Sequence, residues 1–208
     1  MRGLLAGVLR HLDTLRRRVF RNERYVIYEF DTAVSGTLTP RPEIDGLEVA
    51  VLERDEDLER LLEHGFRFPP LDPSFRREWL RRGGVAACAF VHRELAHVGW
   101  IALSPEARGC CDGLPYHVDF EHGEACWGGA YTWPRFRGRG LHEYQCGTRL
   151  QYMSDHGFNR CRDAVRVGNT PSLRGQSWWR PTPCLSGHFI RLLNWTRWRE
   201  EPYGGTVS

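Results

Sequence analysis

Apolar side chains recur at helical spacing from the first turn of the chain. Leu4, Leu5, Val8, Leu9, Leu12, Leu15 and Val19 alternate with Arg2, Arg10, Arg16, Arg17, Arg18 and Arg21. The pattern predicts an amphipathic helix over 2–20 whose polar remainder is strongly basic. Two readings of this helix stay open. It packs on its own domain or on a second copy in a homodimer, or it lies peripherally on a membrane whose anionic lipids attract its arginines.

Beyond residue 20 the period changes. Residues 25–30 and 47–52 read as strands, separated by a loop punctuated with Pro and Gly. Residues 55–63 read as a helix ending at Gly65, and 74–82 as a short basic helix after a Pro-rich connection. Two strands over 85–92 and 97–103, joined by a tight turn, lead into an irregular stretch over 104–123. Then come a strand over 125–133, a helix over 141–156, a strand over 162–167, a short helix over 172–179 and one aromatic-rich strand over 188–198. The order predicts a mixed α/β (α+β) layer fold. It divides into a basic helix over 1–24 and one domain over 25–208.

Composition narrows the class. The 208 residues are 41% hydrophobic and 26% charged, which suits a globular chain that builds its core without metals or disulfides. All 29 basic residues are arginine, and the net charge is only +3. That balance favours a small anionic ligand over nucleic acid, and no aromatic–basic RNA motif accompanies it. Seven cysteines without a C-x-x-C pair, no secretory leader pattern and no membrane-length apolar run point to free thiols in the cytoplasm. His142 and Cys146, one helical turn apart, are half a metal site at most, so no metal is expected. Trp178, Trp179, Trp195 and Trp198 read as core or as walls of an acceptor pocket, and Cys110 and Cys111 as loop thiols.

The chemistry concentrates in Tyr131-Thr-Trp-Pro-Arg-Phe-Arg-Gly-Arg-Gly-Leu141. A strand runs into Pro134, an Arg/Gly turn and directly into a helix. Glycines allow close backbone approach, and the first amides of a helix have no internal partner. With the helix dipole and Arg137 and Arg139, the turn forms a cradle for phosphate or pyrophosphate. It lacks the Gly-Lys-Ser/Thr of a P-loop and the glycine spacing of a dinucleotide fold. Gly128 and Gly129 inside the preceding strand suggest a bulge or a close approach.

This stretch resembles the acyl-CoA site of the GNAT N-acetyltransferases, whose signature is Val-x-Pro-x-x-Arg-Gly-x-Gly-x-Gly/Ala. Pro134, Arg137, Gly138 and Gly140 match, while Thr132 and His142 depart from it. Asn169 and Ser172 resemble the family's Asn-x-x-Ser/Ala after the next strand. The resemblance is specific over about 45 residues and absent over the first 40. It implies a central mixed, mostly antiparallel sheet flanked by helices. It further implies acetyl-CoA or another acyl-CoA as cofactor, its pyrophosphate on Arg137, Gly138, Arg139, Gly140, Leu141 and His142. The pantetheine arm would run along Tyr131, Thr132 and Trp133, with Asn169 and Ser172 on the other flank. The implied reaction is acyl transfer to a primary amine of a small molecule or amino sugar.

An amine of pKa about 10.4 must lose a proton before attack. Glu124, at the start of the cofactor strand, is the expected base, with Glu121, Asp119 and His117 as rivals. Many relatives place a Tyr after the Asn to protonate the leaving thiolate, and Gln176 stands there instead. A thiolate leaves without that help, since its conjugate acid has a pKa of only about 8.5. Two further readings are acylation of a protein or peptide amine, and a non-catalytic acyl-CoA-binding interaction protein.

Overall fold

The computed structural model describes residues 19–33, 40–69 and 75–204. The expected N-terminal helix lies outside these apart from its last two positions, as do parts of the Pro-rich loops. Eight strands form one sheet: β1 (Phe20–Asp31), β2 (Leu47–Leu52), β3 (Val85–Val91), β4 (Glu94–Ala102), β5 (Glu124–Thr132), β6 (Arg160–Arg166), β7 (Thr182–Leu192) and β8 (Trp195–Pro202). Their order is β2-β3-β4-β5-β6-β1-β7-β8. Every neighbouring pair is antiparallel except β5 and β6.

Helices α1 (Asp55–Glu63) and α2 (Arg77–Arg81) cover one face, where Leu58 and Leu80 join Cys88, Trp100 and Cys126 in the core. Helices α3 (Leu141–Asp155) and α4 (Thr170–Ser177) cover the other, where Cys146, Leu150 and Met153 meet Ile101, Ala125 and Trp127. The two-residue period of β5 sorts its side chains, sending Ala125 and Trp127 to one face and Cys126 to the other. β3 and β4 are buried throughout, matching their nearly unbroken apolar runs. They turn at His92 and Arg93, both with positive φ, the geometry of a two-residue hairpin turn.

Three sequence expectations change. The apolar run over 188–198 is a hairpin, not one strand, because β7 reverses at Leu193 and Asn194 into β8. Leu193 adopts φ 54 there without the Gly that would announce such a turn. β1 starts at Phe20 because β7 pairs with it from Leu192 onward, so the boundary at 24/25 cuts a strand. Cys110 and Cys111 are buried, while Trp178 and Trp195 are exposed.

Candidate active site

β5 and β6 pair over only three positions, Glu124 to Cys126 against Arg160 to Arg162. Beyond them the strands diverge. β5 also bulges: Val98 pairs with Tyr131 and Trp100 with Gly128, so Gly129 and Ala130 together oppose Gly99. Gly129 sits at φ 54, and a Cβ there would lie 2.7 Å from the Cys110 carbonyl oxygen. The glycine pair therefore lets the 104–118 excursion press against the bulge.

The gap between the strands opens into a cavity of about 690 Å³. At one end it is lined by Arg137, Gly138, Arg139, Gly140, Leu141 and His142, across from Asn169 and Ser172; Tyr131 and Thr132 line its wall. Ten of the eleven residues expected around a cofactor thus meet at one cavity. The exception is Trp133, whose amide donates to Ala96 of β4 and whose ring packs on Tyr131 at 5.0 Å.

Gly140 forms the left-handed entry to α3 at φ 74. The first helical bond runs from the Tyr144 amide to the Gly140 carbonyl at 3.0 Å. The amides of Leu141, His142 and Glu143 therefore have no partner within the helix. A Cβ at Gly138 would meet nothing within 4 Å. Arg139 makes no ion pair among the described residues, whereas Arg137 Nε donates to the Thr132 carbonyl at 2.9 Å and stiffens the turn. Open amides, absent side chains and a free guanidinium fit a pyrophosphate.

His142 replaces the small residue of the family pattern, and the structure accommodates it on α4. A Cβ at Gly175 would lie 2.1 Å from the His142 ring, so only glycine fits opposite it. Burial, then the charge of Arg149, pushes the His142 pKa down to about 4, so the ring is neutral at pH 7. His97 is fully buried beside it, with ring centres 5.5 Å apart, and its Nδ1 lies 2.7 Å from Thr132 Oγ1.

The expected base is elsewhere. Glu124 does not line the cavity; it sits at the paired end of β5. Its Oε2 accepts the Asp119 amide at 2.8 Å and its Oε1 accepts from Arg162 at 2.9 Å. A buried carboxylate with both oxygens engaged is poorly placed to take a substrate proton. Nor do Asp119, Glu121 or His117 reach the cavity: Asp119 pairs with His122 at 2.9 Å, and Glu121 and His117 are exposed. Glu124→Gln is expected to cost about 1–3 kcal/mol of stability through the weakened Arg162 contact, with acyl-CoA affinity unchanged. Urea unfolding and calorimetry check this; lost turnover at unchanged stability would return Glu124 to the chemistry.

Three acids that sequence reasoning missed line the cavity: Glu143 in the first turn of α3, Asp163 and Asp112. Asp163 is buried on β6, held by the side-chain amide of Gln176, and burial pushes its pKa up to about 6. Asp112 reaches in from the opposite face, accepting the Leu114 amide at Oδ1 (2.8 Å), while its Oδ2 is sealed from solvent and the buried Tyr116 hydroxyl acts on the carboxylate. Burial is the main cause that pushes Asp112 up to about 7, and the Asp163 charge adds to it. Alternation along β6 could have turned Asp163 inward with Cys161 and Val165; no local signal marks Asp112. Arg149 lies behind them, fully buried, its guanidinium 4.4 Å from the Trp127 ring centre.

No protein-family model matches the chain, and no curated protein matches it in sequence. Solved structures do match its shape. A GCN5-related N-acetyltransferase-like protein from Streptococcus suis aligns over 90% of this chain and 67% of its own at 12% identity and TM-score 0.51. A putative GNAT-family acetyltransferase from Novosphingobium aromaticivorans aligns over 80% of this chain and 62% of its own at 15% identity and TM-score 0.50. A glucosamine N-acetyltransferase region of a fungal multi-domain β-N-acetylglucosaminidase aligns over 87% of this chain at 11% identity and TM-score 0.50, and this chain spans 22% of that protein. These matches in shape show that the fold of this chain is that of the GCN5-related N-acetyltransferases.

Proposed function

We propose that the protein is an acyl-CoA-dependent N-acyltransferase acting on a primary amine of a small molecule. One observation carries the reading. The amide-lined turn at Gly140 and the divergence of β5 from β6 open into the same cavity, whose lining includes the buried Asp163 and the half-buried Asp112. Arg139 and the amides of Leu141 to Glu143 would hold the pyrophosphate, and the unpaired edge of β5 would accept the pantetheine amides as an added strand. When bound, acyl-CoA supplies the activated thioester.

The chain's own residues then manage the proton. As the amine nitrogen bonded to the thioester carbon and the carbon–sulfur bond broke, Asp112, which lines the cavity opposite the helices, would take the amine proton. A carboxylate with a pKa near 7 accepts protons better than an ordinary one while remaining ionised near neutrality. Asp163 and Gln176 fix the far wall. Gln176 carries no acid function, so the sulfur departs as thiolate, which a pKa of about 8.5 permits. The test is release of free thiol from acetyl-CoA, and from longer acyl-CoAs, in the presence of a panel of amines including glucosamine, polyamines and peptide lysines. Thiol release with small amines alone supports the reading; release with peptides alone assigns a protein acceptor. Binding of acyl-CoA without turnover by any amine would make the chain a non-catalytic binder.

A further inference from the structure

A second surface lies at the end of the sheet where β1 begins and β7 turns into β8. Val19, Phe20, Leu192, Leu193 and Trp195 are 44–63% exposed there. They are contiguous: Phe20 pairs with Leu192, Leu192 with Trp195, and the Leu193 amide donates to the Val19 carbonyl. Val49, Leu62 and Trp178, also exposed, lie apart from one another on other elements. An apolar hairpin tip of this kind is costly to leave in water.

Charge decides what covers it. Arg24, Arg191, Arg197 and Arg199 flank the tip and make no ion pair among the described residues. Arg16, Arg17 and Arg18 immediately precede it in sequence. A second copy meeting this face through a two-fold axis would bring like charges together, and the preceding segment, were its apolar stripe to cover the tip, would set its own arginines beside those of the sheet. Neither complements the surface. An anionic lipid bilayer complements both parts of it, taking the apolar tip at the headgroup boundary and the arginines at the phosphates.

We infer that this end of the sheet docks the protein on an anionic membrane surface, with Leu192, Leu193 and Trp195 entering the interface. The inference does not rest on the proposed transferase activity. It has a geometric consequence. β5 and β6 run parallel, and the C-terminal end of β6 lies beside the N-terminal part of β1, Arg166 pairing with Tyr25. The helix entry at Gly140 and Asn169 therefore sits at the same end of the sheet as the docking tip, which β1 and β7 carry five residues past the Tyr25–Arg166 pair. Docking would turn the cavity mouth toward the bilayer.

The experiment is co-sedimentation of the full chain with vesicles of neutral phosphatidylcholine, or of phosphatidylcholine with about 30% phosphatidylserine. The parent is expected to bind the anionic vesicles only and to be released in 1 M salt, where the screening length is about 3 Å. Leu193→Ser with Trp195→Ser is expected to weaken binding at least about tenfold, with unchanged circular dichroism, because both side chains are exposed. Arg197→Glu, which leaves the apolar tip intact, is expected to weaken it as well. Absence of parent binding overturns the inference, as does equal binding by the double variant, which would assign the membrane contact to the basic segment before Val19. A concentration-dependent dimer that the double variant abolishes, without vesicle binding, would make the occupant a second copy.

Discussion

Asp112→Asn is expected to lower kcat by about 10²–10⁴-fold, the range a positioned general base contributes. The substitution keeps the geometry, since an Asn Oδ1 can still accept the Leu114 amide that Asp112 now accepts at 2.8 Å. What it removes is a proton acceptor whose pKa is pushed up to about 7, first by burial and further by the neighbouring Asp163 charge. Activity requires the ionised form, so kcat/KM of the parent should rise with pH and level off above about 7; the Asn variant should lose that rising limb. Stability should move the other way. The folded pKa lies above the unfolded value of about 3.9, so the native state holds the proton more tightly, and the parent loses stability as pH rises from about 4 through about 7. The Asn variant escapes that loss, and its melting curve at pH 8 separates lost activity from unfolding. Turnover against pH, with melting curves at pH 5 and 8, gives the result. Full kcat for the variant across pH 6–9 sinks the assignment, and loss of the limb in Asp163→Asn alone moves the base to β6.

The residues that were legible in the sequence are those whose role is set locally. Pro134, Gly138 and Gly140 specify a turn and a helix entry whatever surrounds them, and Asn169 follows at a fixed distance along one strand and one turn. The carboxylate proposed as base was illegible because its position depends on distant packing. Asp112 lies in an irregular stretch without period, and it reaches the cavity only because Gly128 and Gly129 leave room for Cys110 and Cys111. Glu124 was correctly read as the start of a strand. Its fate was decided by the short parallel pairing with β6, which sets Arg160 opposite it and brings the Arg162 guanidinium onto its Oε1, and no local pattern encodes that. His142 departs from the family's small residue, and its partner Gly175, thirty-three positions later, makes space for the ring. The β7–β8 turn was missed because Leu193 takes a left-handed conformation without Gly or Asn.

Gly140→Glu is expected to weaken acyl-CoA binding by about 10-fold to 1000-fold, because charge-assisted contacts to phosphate are worth about 1.5–3 kcal/mol each and 1.4 kcal/mol is about tenfold. The geometry separates two causes. A Cβ at Gly140 would meet only Pro42 Cγ at 3.8 Å, so space is not the obstacle. The backbone is: φ 74 costs an ordinary L-residue about 1–2 kcal/mol, and α3 starts from that conformation. Gly140→Ala carries this strain without the charge. Both variants should therefore lose similar stability in thermal melts, while only Glu places a carboxylate among the amides of Leu141 to Glu143 and beside Arg139. Calorimetric titration with acetyl-CoA should rank the parent tightest, Ala next and Glu at least about tenfold weaker than Ala, the step that one lost charge-assisted contact predicts. If Ala and Glu bind equally, no anion sits at the start of α3, and the cradle belongs to some other ligand. If the parent itself fails to bind acetyl-CoA or a longer acyl-CoA, the proposed reaction falls with it, while the vesicle measurement on the hairpin tip keeps its own outcome.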